Sequence, residues 1–152
     1  MATELLEDSI EIDAAPEKVW ALVSDLKRVT DWSPQTAKVI VRGPVRLGTT
    51  TFNINRAGWK VWPTRSKVVQ MEANKEIAIK VLDNGTVWSY VLEPTATGTK
   101  LIERRVAKDG KTTPASAFLV DKFFGGNDKF EAILRDGIKQ SLQGIKAVAE
   151  RS

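Results

Sequence analysis

Three side chains that can bind a carbonyl group or exchange protons lie on two neighbouring segments with strand-like character. Tyr90 belongs to one segment, and Glu103 and Arg105 belong to the next. Alternate residues of a strand point to opposite faces, so an inward Leu101 brings Glu103 and Arg105 inward with it. Arg105 could then polarise a carbonyl, with Glu103 as general base and Tyr90 as proton donor. These three residues are the candidate catalytic groups.

Inward charges require an explanation, because burying a charge without a partner is unfavourable by several kcal/mol. Glu103 and Arg105 must pair, contact water in a cavity or bind a polar ligand group. A different explanation is that residues near strand ends, such as Arg56 and Arg105, extend their head groups to solvent. Aromatic residues on the same faces, Trp88 and Tyr90, are equally typical of an ordinary core.

The rule that larger apolar residues face inward also assigns the segment that ends at Arg56. It turns Phe52, Ile54 and Arg56 towards the interior and Asn53 and Asn55 towards solvent. A slip of one residue would invert these assignments.

The composition excludes many kinds of site. The 152 residues include no histidine and no cysteine, which removes disulfides, thiolate nucleophiles, the usual zinc ligand sets and imidazole chemistry. We therefore expect one domain over residues 1–152 with no metal and no cofactor. The acidic N-terminus lacks an export signal and no apolar run is long enough to span a membrane, which predicts a cytoplasmic protein.

Residues 41–70 form a basic stretch without a single acidic residue. The stretch also contains Trp59 and Trp62, which could cap the mouth of a cavity. It permits binding to nucleic acid or another anionic surface. Arg and Lys are, however, ordinary outward residues of a sheet with one solvated face, so binding of nucleic acid is not expected. The basic residues are Arg42, Arg46, Arg56, Lys60, Arg65 and Lys67.

The elements that must position these residues follow from periodicity and turn residues. An alternating segment over 8–13 predicts a first strand, and Pro16 begins a helix over about 16–25, with a second short helix over about 27–32. Asp83-Asn84-Gly85 is typical of a hairpin turn. The six further predicted strands are Lys38–Arg42, Thr49–Arg56, Val61–Met71, Ile77–Leu82, Thr86–Leu92 and Lys100–Val106.

After Pro114 the apolar residues recur every three or four positions, which predicts a long C-terminal helix. Gly125-Gly126 interrupts it, either as a break between two helices or as a kink that lets the first part move as a hinge. The residues of this helix that would line a cavity are Phe123, Asn127, Phe130 and Leu134.

Several motifs appear in an order that resembles the START-like (SRPBCC, Bet v 1-like) superfamily, in particular its polyketide cyclase/dehydrase and lipid-transport group. The resemblance implies an α+β helix-grip fold: a seven-stranded curved antiparallel sheet around a long C-terminal helix, with two short helices after the first strand and a ligand cavity. It implies no universal catalytic motif. The motifs are Ala15-Pro16-Glu17-Lys18-Val19-Trp20 with Asp25, Trp32-Ser33-Pro34, Gly48-Thr49, Trp88-Ser89-Tyr90 and Gly98-Thr99-Lys100-Leu101.

Three functions remain open on this basis. The first is a non-enzymatic carrier or sensor of a small hydrophobic molecule, such as a lipid, polyketide or isoprenoid, which the lack of histidine and cysteine favours. The second is a cofactor-independent polyketide aromatase/cyclase or dehydratase. The third is a co-chaperone-like module that binds an unknown protein partner through the basic strands. The predicted ligand-binding residues are Phe52, Ile54, Arg56, Trp88, Tyr90, Leu101, Glu103, Arg105, Phe123, Asn127, Phe130 and Leu134.

Overall fold

Seven strands form one antiparallel sheet, and a long helix lies against its inner face. The computed structural model describes residues 5–107 and 127–151. The sheet order is β1-β7-β6-β5-β4-β3-β2, so only β1 pairs with a strand distant in sequence. The strands are β1 (Leu5–Ile12), β2 (Thr36–Val41), β3 (Thr50–Ala57), β4 (Lys60–Glu72), β5 (Glu76–Val81), β6 (Val87–Pro94) and β7 (Thr99–Val106).

Two short helical segments connect β1 to β2. Helix α1 (Pro16–Val23) begins with Pro16 in its first turn, where a missing N–H leaves no hydrogen bond unmade. A 3₁₀ helix (Leu26–Asp31) follows. Asp25 precedes it at the N-cap position but makes no side-chain capping hydrogen bond, although aspartate is a common N-cap residue.

The described part of the C-terminal helix, α2, covers Asn127–Arg151. Its buried stripe includes Leu134, Ile138, Leu142 and Ile145, which confirms the helical spacing expected from the sequence. The proposed hinge at Gly125-Gly126 lies outside the described residues.

Tight turns join consecutive strands because residues with positive φ stand at the required positions. Gly85 has a φ of 76° in the turn between β5 and β6, and its N–H donates to the carbonyl of Val81 at 2.8 Å. Gly58, with a φ of 64°, occupies the turn between β3 and β4. Glycine adopts this conformation without the steric penalty of a Cβ atom. The predicted meander and its hairpin signal are confirmed.

The closed part of the core lies where β1, β7 and α1 meet α2. Ile12, Leu101 and Ile145 are buried there, with Val19 from α1. At its C-terminal end α2 is attached to β1 by polar contacts: Glu150 accepts from the backbone N–H of Asp13 at 2.8 Å. This packing holds one half of α2 firmly against the sheet and leaves the other half over a cavity.

Candidate functional site

The cavity lies between the inner face of the sheet and the N-terminal half of α2, and its volume is about 190 Å³. Strands β2 to β7 contribute to one wall, and the 3₁₀ helix, the turn after it and α2 contribute to the other. A cavity of about 150 Å³ in another protein binds benzene. The cavity is therefore large enough for a ring system or a short chain.

A ladder of polar side chains covers the part of the cavity formed by β3 and β4. Asn53 Nδ2 donates to Ser66 Oγ at 2.9 Å, and Asn55 Nδ2 donates to Thr64 Oγ1 at 2.9 Å. Thr51 donates to Asn53 Oδ1, also at 2.9 Å. Because neighbouring side chains satisfy the amide N–H groups, the ladder is oriented before any ligand arrives.

Thr64 illustrates what the ladder offers to a bound molecule. Its Oγ1 accepts hydrogen bonds from Asn55 at 2.9 Å and from Asn53 at 3.3 Å. A hydroxyl has two acceptor lone pairs and one donor. The O–H hydrogen of Thr64 is thus suited to donate to an oxygen atom in the cavity.

Apolar and aromatic side chains cover the remainder of the cavity surface. Trp62 at the start of β4 faces Phe130 at the start of α2, with ring centroids 6.3 Å apart and planes inclined at 59°. This distance is typical of a favourable aromatic pair. The other apolar lining residues are Leu26, Val29, Val39, Ile79, Val81, Trp88, Leu134 and Ile138.

Tyr90 and Glu103 are directly opposite each other on β6 and β7. Burial raises the pKa of Glu103 from 4.5 to about 8, while a hydrogen bond with Tyr90 opposes the rise and the charge of Asp8 adds to it. Burial and the adjacent Glu103 raise the pKa of Tyr90 well above 10. Both groups therefore carry their protons at neutral pH.

One carboxyl oxygen of Glu103 is buried and finds no hydrogen-bond partner among the described residues. Within the described ranges, no hydrogen-bonding atom reaches Oε1 of Glu103. Buried polar atoms nearly always have a partner, either protein or ordered water. Glu103 lines the cavity, so a ligand or a water molecule bound there could supply that partner.

A buried ion pair links the sheet to α2. Arg105 Nη2 lies 3.2 Å from Glu131 Oε2, and the two side chains are 4% and 8% exposed. Burial lowers the pKa of Arg105, and the hydrogen bond and charge of Glu131 counteract that change. Glu131 therefore keeps the guanidinium charged and holds it at the cavity wall.

Of the residues predicted from the sequence, six line the cavity together: Trp88, Tyr90, Glu103, Arg105, Phe130 and Leu134. Trp62 also lines it, whereas Trp59 is 83% exposed and does not. Leu101 faces inward as predicted but is fully buried in the closed core and does not line the cavity, because it pairs with Leu92 and Ile10 away from it. Phe123 lies outside the described residues, as does the side chain of Asn127.

The orientation predicted for β3 is wrong. Phe52 is 42% exposed, and it lies with Ile54 and Arg56 on the outer face, while Asn53 and Asn55 line the cavity. The rule that larger apolar residues face inward fails here because this part of the sheet lines an open cavity and not a packed core, and hydrogen bonds to side chains of β4 satisfy the asparagines. Sequence reasoning therefore missed the polar ladder.

Two signals in the sequence could have identified the missed residues. On β4, Thr64 and Ser66 alternate with the same spacing as Trp62 and Val68, so all four point to the same face. The sequence of β4, which pairs with β3, therefore indicated an inward face that is partly polar. Glu131 stands seven residues before Ile138 and fourteen before Ile145, which places it on the buried stripe of α2.

The described residues contain no cluster of side chains that could bind a metal ion. Groups of three or more carboxylate side chains with metal-site geometry do not occur in residues 5–107 and 127–151. No helix in that part of the chain has both the length and the apolar character needed to cross a membrane.

A seven-stranded antiparallel sheet that encloses a cavity with a C-terminal helix defines the START-like class of helix-grip proteins. Within this class, the chain belongs to the family described as "Polyketide cyclase / dehydrase and lipid transport", which matches residues 4–150. The resemblance stated from the sequence is thereby confirmed.

Solved structures agree with this assignment. The Polyketide_cyc-like protein Cgl2372 from Corynebacterium glutamicum is 32% identical, with 95% of this chain and 90% of that chain covered and a TM-score of 0.59. The Zhui aromatase/cyclase from Streptomyces sp. R1128 is 17% identical, with a TM-score of 0.69 and coverage of 97% and 93%. At 17% identity, the similarity to the Zhui protein shows a common fold and nothing more.

The di-domain ARO/CYC StfQ from the steffimycin biosynthetic pathway has a TM-score of 0.77 at 17% identity. The match covers 97% of this chain but 50% of that chain, so this chain corresponds to half of the di-domain protein. No curated protein matches the chain significantly in sequence.

Proposed function

We propose that this protein binds a small hydrophobic molecule that carries several oxygen atoms along one edge, as a polyketide does, in the cavity between the sheet and α2. The observation that carries the proposal is the two-sided lining. An ordered polar ladder on β3 and β4 faces an apolar wall that includes Phe130 and Leu134. A molecule with one oxygenated edge and one apolar face fits both walls.

The polar groups support a ligand with carbonyl or hydroxyl oxygens. Thr64 and the protonated Glu103 can donate hydrogen bonds, and Arg105 carries a positive charge next to the same space. A wholly apolar lipid chain would offer the hydroxyl of Thr64 and the carboxyl of Glu103 no hydrogen-bond acceptor, which is unfavourable by about 1–3 kcal/mol for each group.

A bound molecule can be detected by native mass spectrometry of protein purified from its own host, followed by denaturing extraction. We expect a stoichiometric adduct of an oxygenated hydrophobic molecule. An adduct without oxygen atoms would contradict the proposed ligand class. Protein that is empty, and that also takes up no polyketide-like aromatic compound in titration, would contradict binding altogether.

Paired variants of β3 locate the binding site. Replacing Asn53 and Asn55 by leucine should weaken ligand binding at least tenfold, because the amides that orient the hydroxyls of Thr64 and Ser66 at the cavity would be lost. The control replaces Phe52 and Ile54 by alanine on the outer face, where we expect unchanged affinity. Loss of affinity in the control alone would show that the ligand does not occupy the cavity described here.

A second candidate function is ring closure or dehydration of a polyketide-like substrate, and the Tyr90–Glu103 pair favours it. In ring closure, Glu103 would remove a proton from the carbon next to one carbonyl, and that carbon would bond to a second carbonyl carbon. Tyr90 would donate a proton to the second carbonyl oxygen, which becomes a hydroxyl. Arg105 would stabilise the enolate formed first.

The pH dependence of turnover tests this second candidate. With a pKa of about 8, roughly one-tenth of Glu103 is ionised at pH 7, so a base mechanism predicts about tenfold faster turnover above pH 9. Glu103→Gln should abolish this rise and Tyr90→Phe should lower the rate. Turnover that survives both substitutions would exclude the mechanism and leave binding as the function.

A further inference from the structure

We propose that the β3–β4 hairpin, with Trp59 at its tip, binds the protein to an anionic lipid surface. The hairpin surface consists of Arg56, Trp59, Lys60 and Val61. None of these residues lines the cavity, and the proposal does not depend on which ligand the cavity holds.

The tip of the hairpin presents large apolar side chains to solvent. Trp59 is 83% exposed and Val61 is 65% exposed. Ala57 pairs with Lys60, so the loop consists of Gly58 and Trp59 alone. An added Cβ at Gly58 would meet no atom within 4 Å, which shows that the turn is open around that position. Such a projecting indole has no packing role in the described structure.

The charged residues closest to Trp59 in the sequence are positive. Lys60 Nζ lies 5.7 Å from the centroid of the Trp59 ring, and Arg56 is exposed on the strand that leads into the turn. No acidic residue occurs from position 41 to position 70. Indole rings prefer the head-group level of a bilayer, and nearby basic side chains are attracted to anionic lipids.

The outer face of the sheet extends the basic surface away from the tip. Lys67 on β4 lies directly opposite Lys80 on β5, and both are exposed. Like charges at opposite positions of an antiparallel pair repel each other. An anionic surface would relieve this repulsion, but Lys67 pairs with Thr50 at the end of β3 away from the tip, so this pair adds to the general attraction of the face and does not locate the contact.

The shape of the hairpin favours a lipid surface over an acidic protein. Anchor residues of protein interfaces are generally packed in the centre of a buried patch. Trp59 instead stands at the end of a narrow two-residue turn, which can enter a deformable head-group layer. Trp62, three residues further along β4, faces Phe130 at the cavity, so the proposed contact lies near that end of the cavity.

Vesicle sedimentation tests the proposal with the whole protein. We expect binding to vesicles that contain phosphatidylcholine and phosphatidylglycerol, little binding to phosphatidylcholine alone, and a loss of binding at high salt. The tryptophan emission should shift to shorter wavelength on binding, and Trp59→Ala should remove that shift. Absence of binding to the anionic vesicles would overturn the proposal and leave an acidic protein as the remaining partner class.

Matched variants distinguish a local contact from general attraction of a basic protein. The double variant Arg56→Glu with Lys60→Glu should weaken vesicle binding at least tenfold. The control, Arg42→Glu with Arg46→Glu, makes the same change in net charge at the other end of β3 and should retain most binding. Leu47→Ala, at a position that is 65% exposed, is the control for Trp59→Ala. Equal losses in test and control variants would overturn the assignment to the hairpin.

Discussion

At the scale of single residues, the unusual group is Glu103. An inward carboxyl on a central strand loses hydration, and its neighbours Tyr90 and Asp8 do not provide a positive charge to compensate. Arg105, two residues further, is held by Glu131 at 3.2 Å. Glu131 thus has a cationic partner at the cavity, whereas at Glu103 burial dominates and keeps the carboxyl protonated at neutral pH.

The raised pKa of Glu103 predicts how the stability of the folded protein depends on pH. The unfolded chain releases the Glu103 proton near pH 4.5, whereas the folded protein keeps it up to about pH 8. Between these values the folded state binds more protons, so stability falls as pH rises, by up to about 1.4 kcal/mol for each pH unit, and levels off above pH 8.

Glu103→Gln removes this titration while it keeps the shape of the protonated acid. We expect the variant to be more stable than the parent at pH 9 by a few kcal/mol and similar to it at pH 4. Urea denaturation across this pH range measures the difference. Glu93→Gln, at an exposed position on the neighbouring strand, is the control. Parallel pH profiles of Glu103→Gln and the parent would show that Glu103 does not keep its proton.

At the scale of elements, the position of α2 depends on close contact with the turn that follows the 3₁₀ helix. A Cβ at Gly144 would lie 2.7 Å from the Cβ of Trp32. A Cβ at Gly137 would meet the side chain of Gln35, whose Nε2 donates to the carbonyl of Ile133 at 3.3 Å. Two glycines on one face thus let the helix approach this turn.

The two glycines should respond differently to alanine. A glycine in an ordinary helix interior is less favourable than alanine by about 1 kcal/mol. Gly144→Ala should nevertheless destabilise the protein by roughly 1–3 kcal/mol, because the Trp32 Cβ cannot move without its backbone. Gly137→Ala should be less harmful, since the end of Gln35 is flexible. Thermal unfolding of both variants compares the two losses of stability. A Gly144→Ala variant more stable than the parent protein would contradict the close approach of α2 to Trp32.

At the scale of the whole molecule, the sheet and α2 share two different interfaces. One end is a closed apolar core around Ile12, Leu101 and Ile145. The other end encloses a partly polar cavity of about 190 Å³. Packing at the first end maintains the fold while polar groups at the second remain available, so binding does not require the core to open.

Removal of a bound molecule should therefore lower stability without unfolding the protein. A ligand present at about one hundred times its dissociation constant stabilises the folded state by about 2.7 kcal/mol. We expect protein stripped by extraction and refolded to unfold at lower urea concentration, with an unchanged slope of free energy against urea. Adding the extracted molecule back should restore the midpoint. An identical midpoint with and without a stoichiometric ligand would contradict binding in the folded state.

Most of the fold could be predicted because its signals are local. Apolar periodicity, turn residues and the proline at the start of α1 depend on neighbours in sequence, and the predicted strands differ from the observed ones by only a few residues. The inward orientation of Tyr90, Glu103 and Arg105 followed in the same way, since apolar residues share their strand faces.

Sequence alone thus determined the order of elements, the antiparallel meander and the presence of charges on an inner strand face. Only the tertiary structure decided that Asn53 and Asn55 face inward, and that Arg105 pairs with Glu131, a residue 26 positions away. Which face of β3 is buried depends on hydrogen bonds with β4 and on what lies across the cavity. Strand periodicity is set by adjacent residues, whereas the environment of a side chain is set by groups that folding brings together from distant parts of the chain.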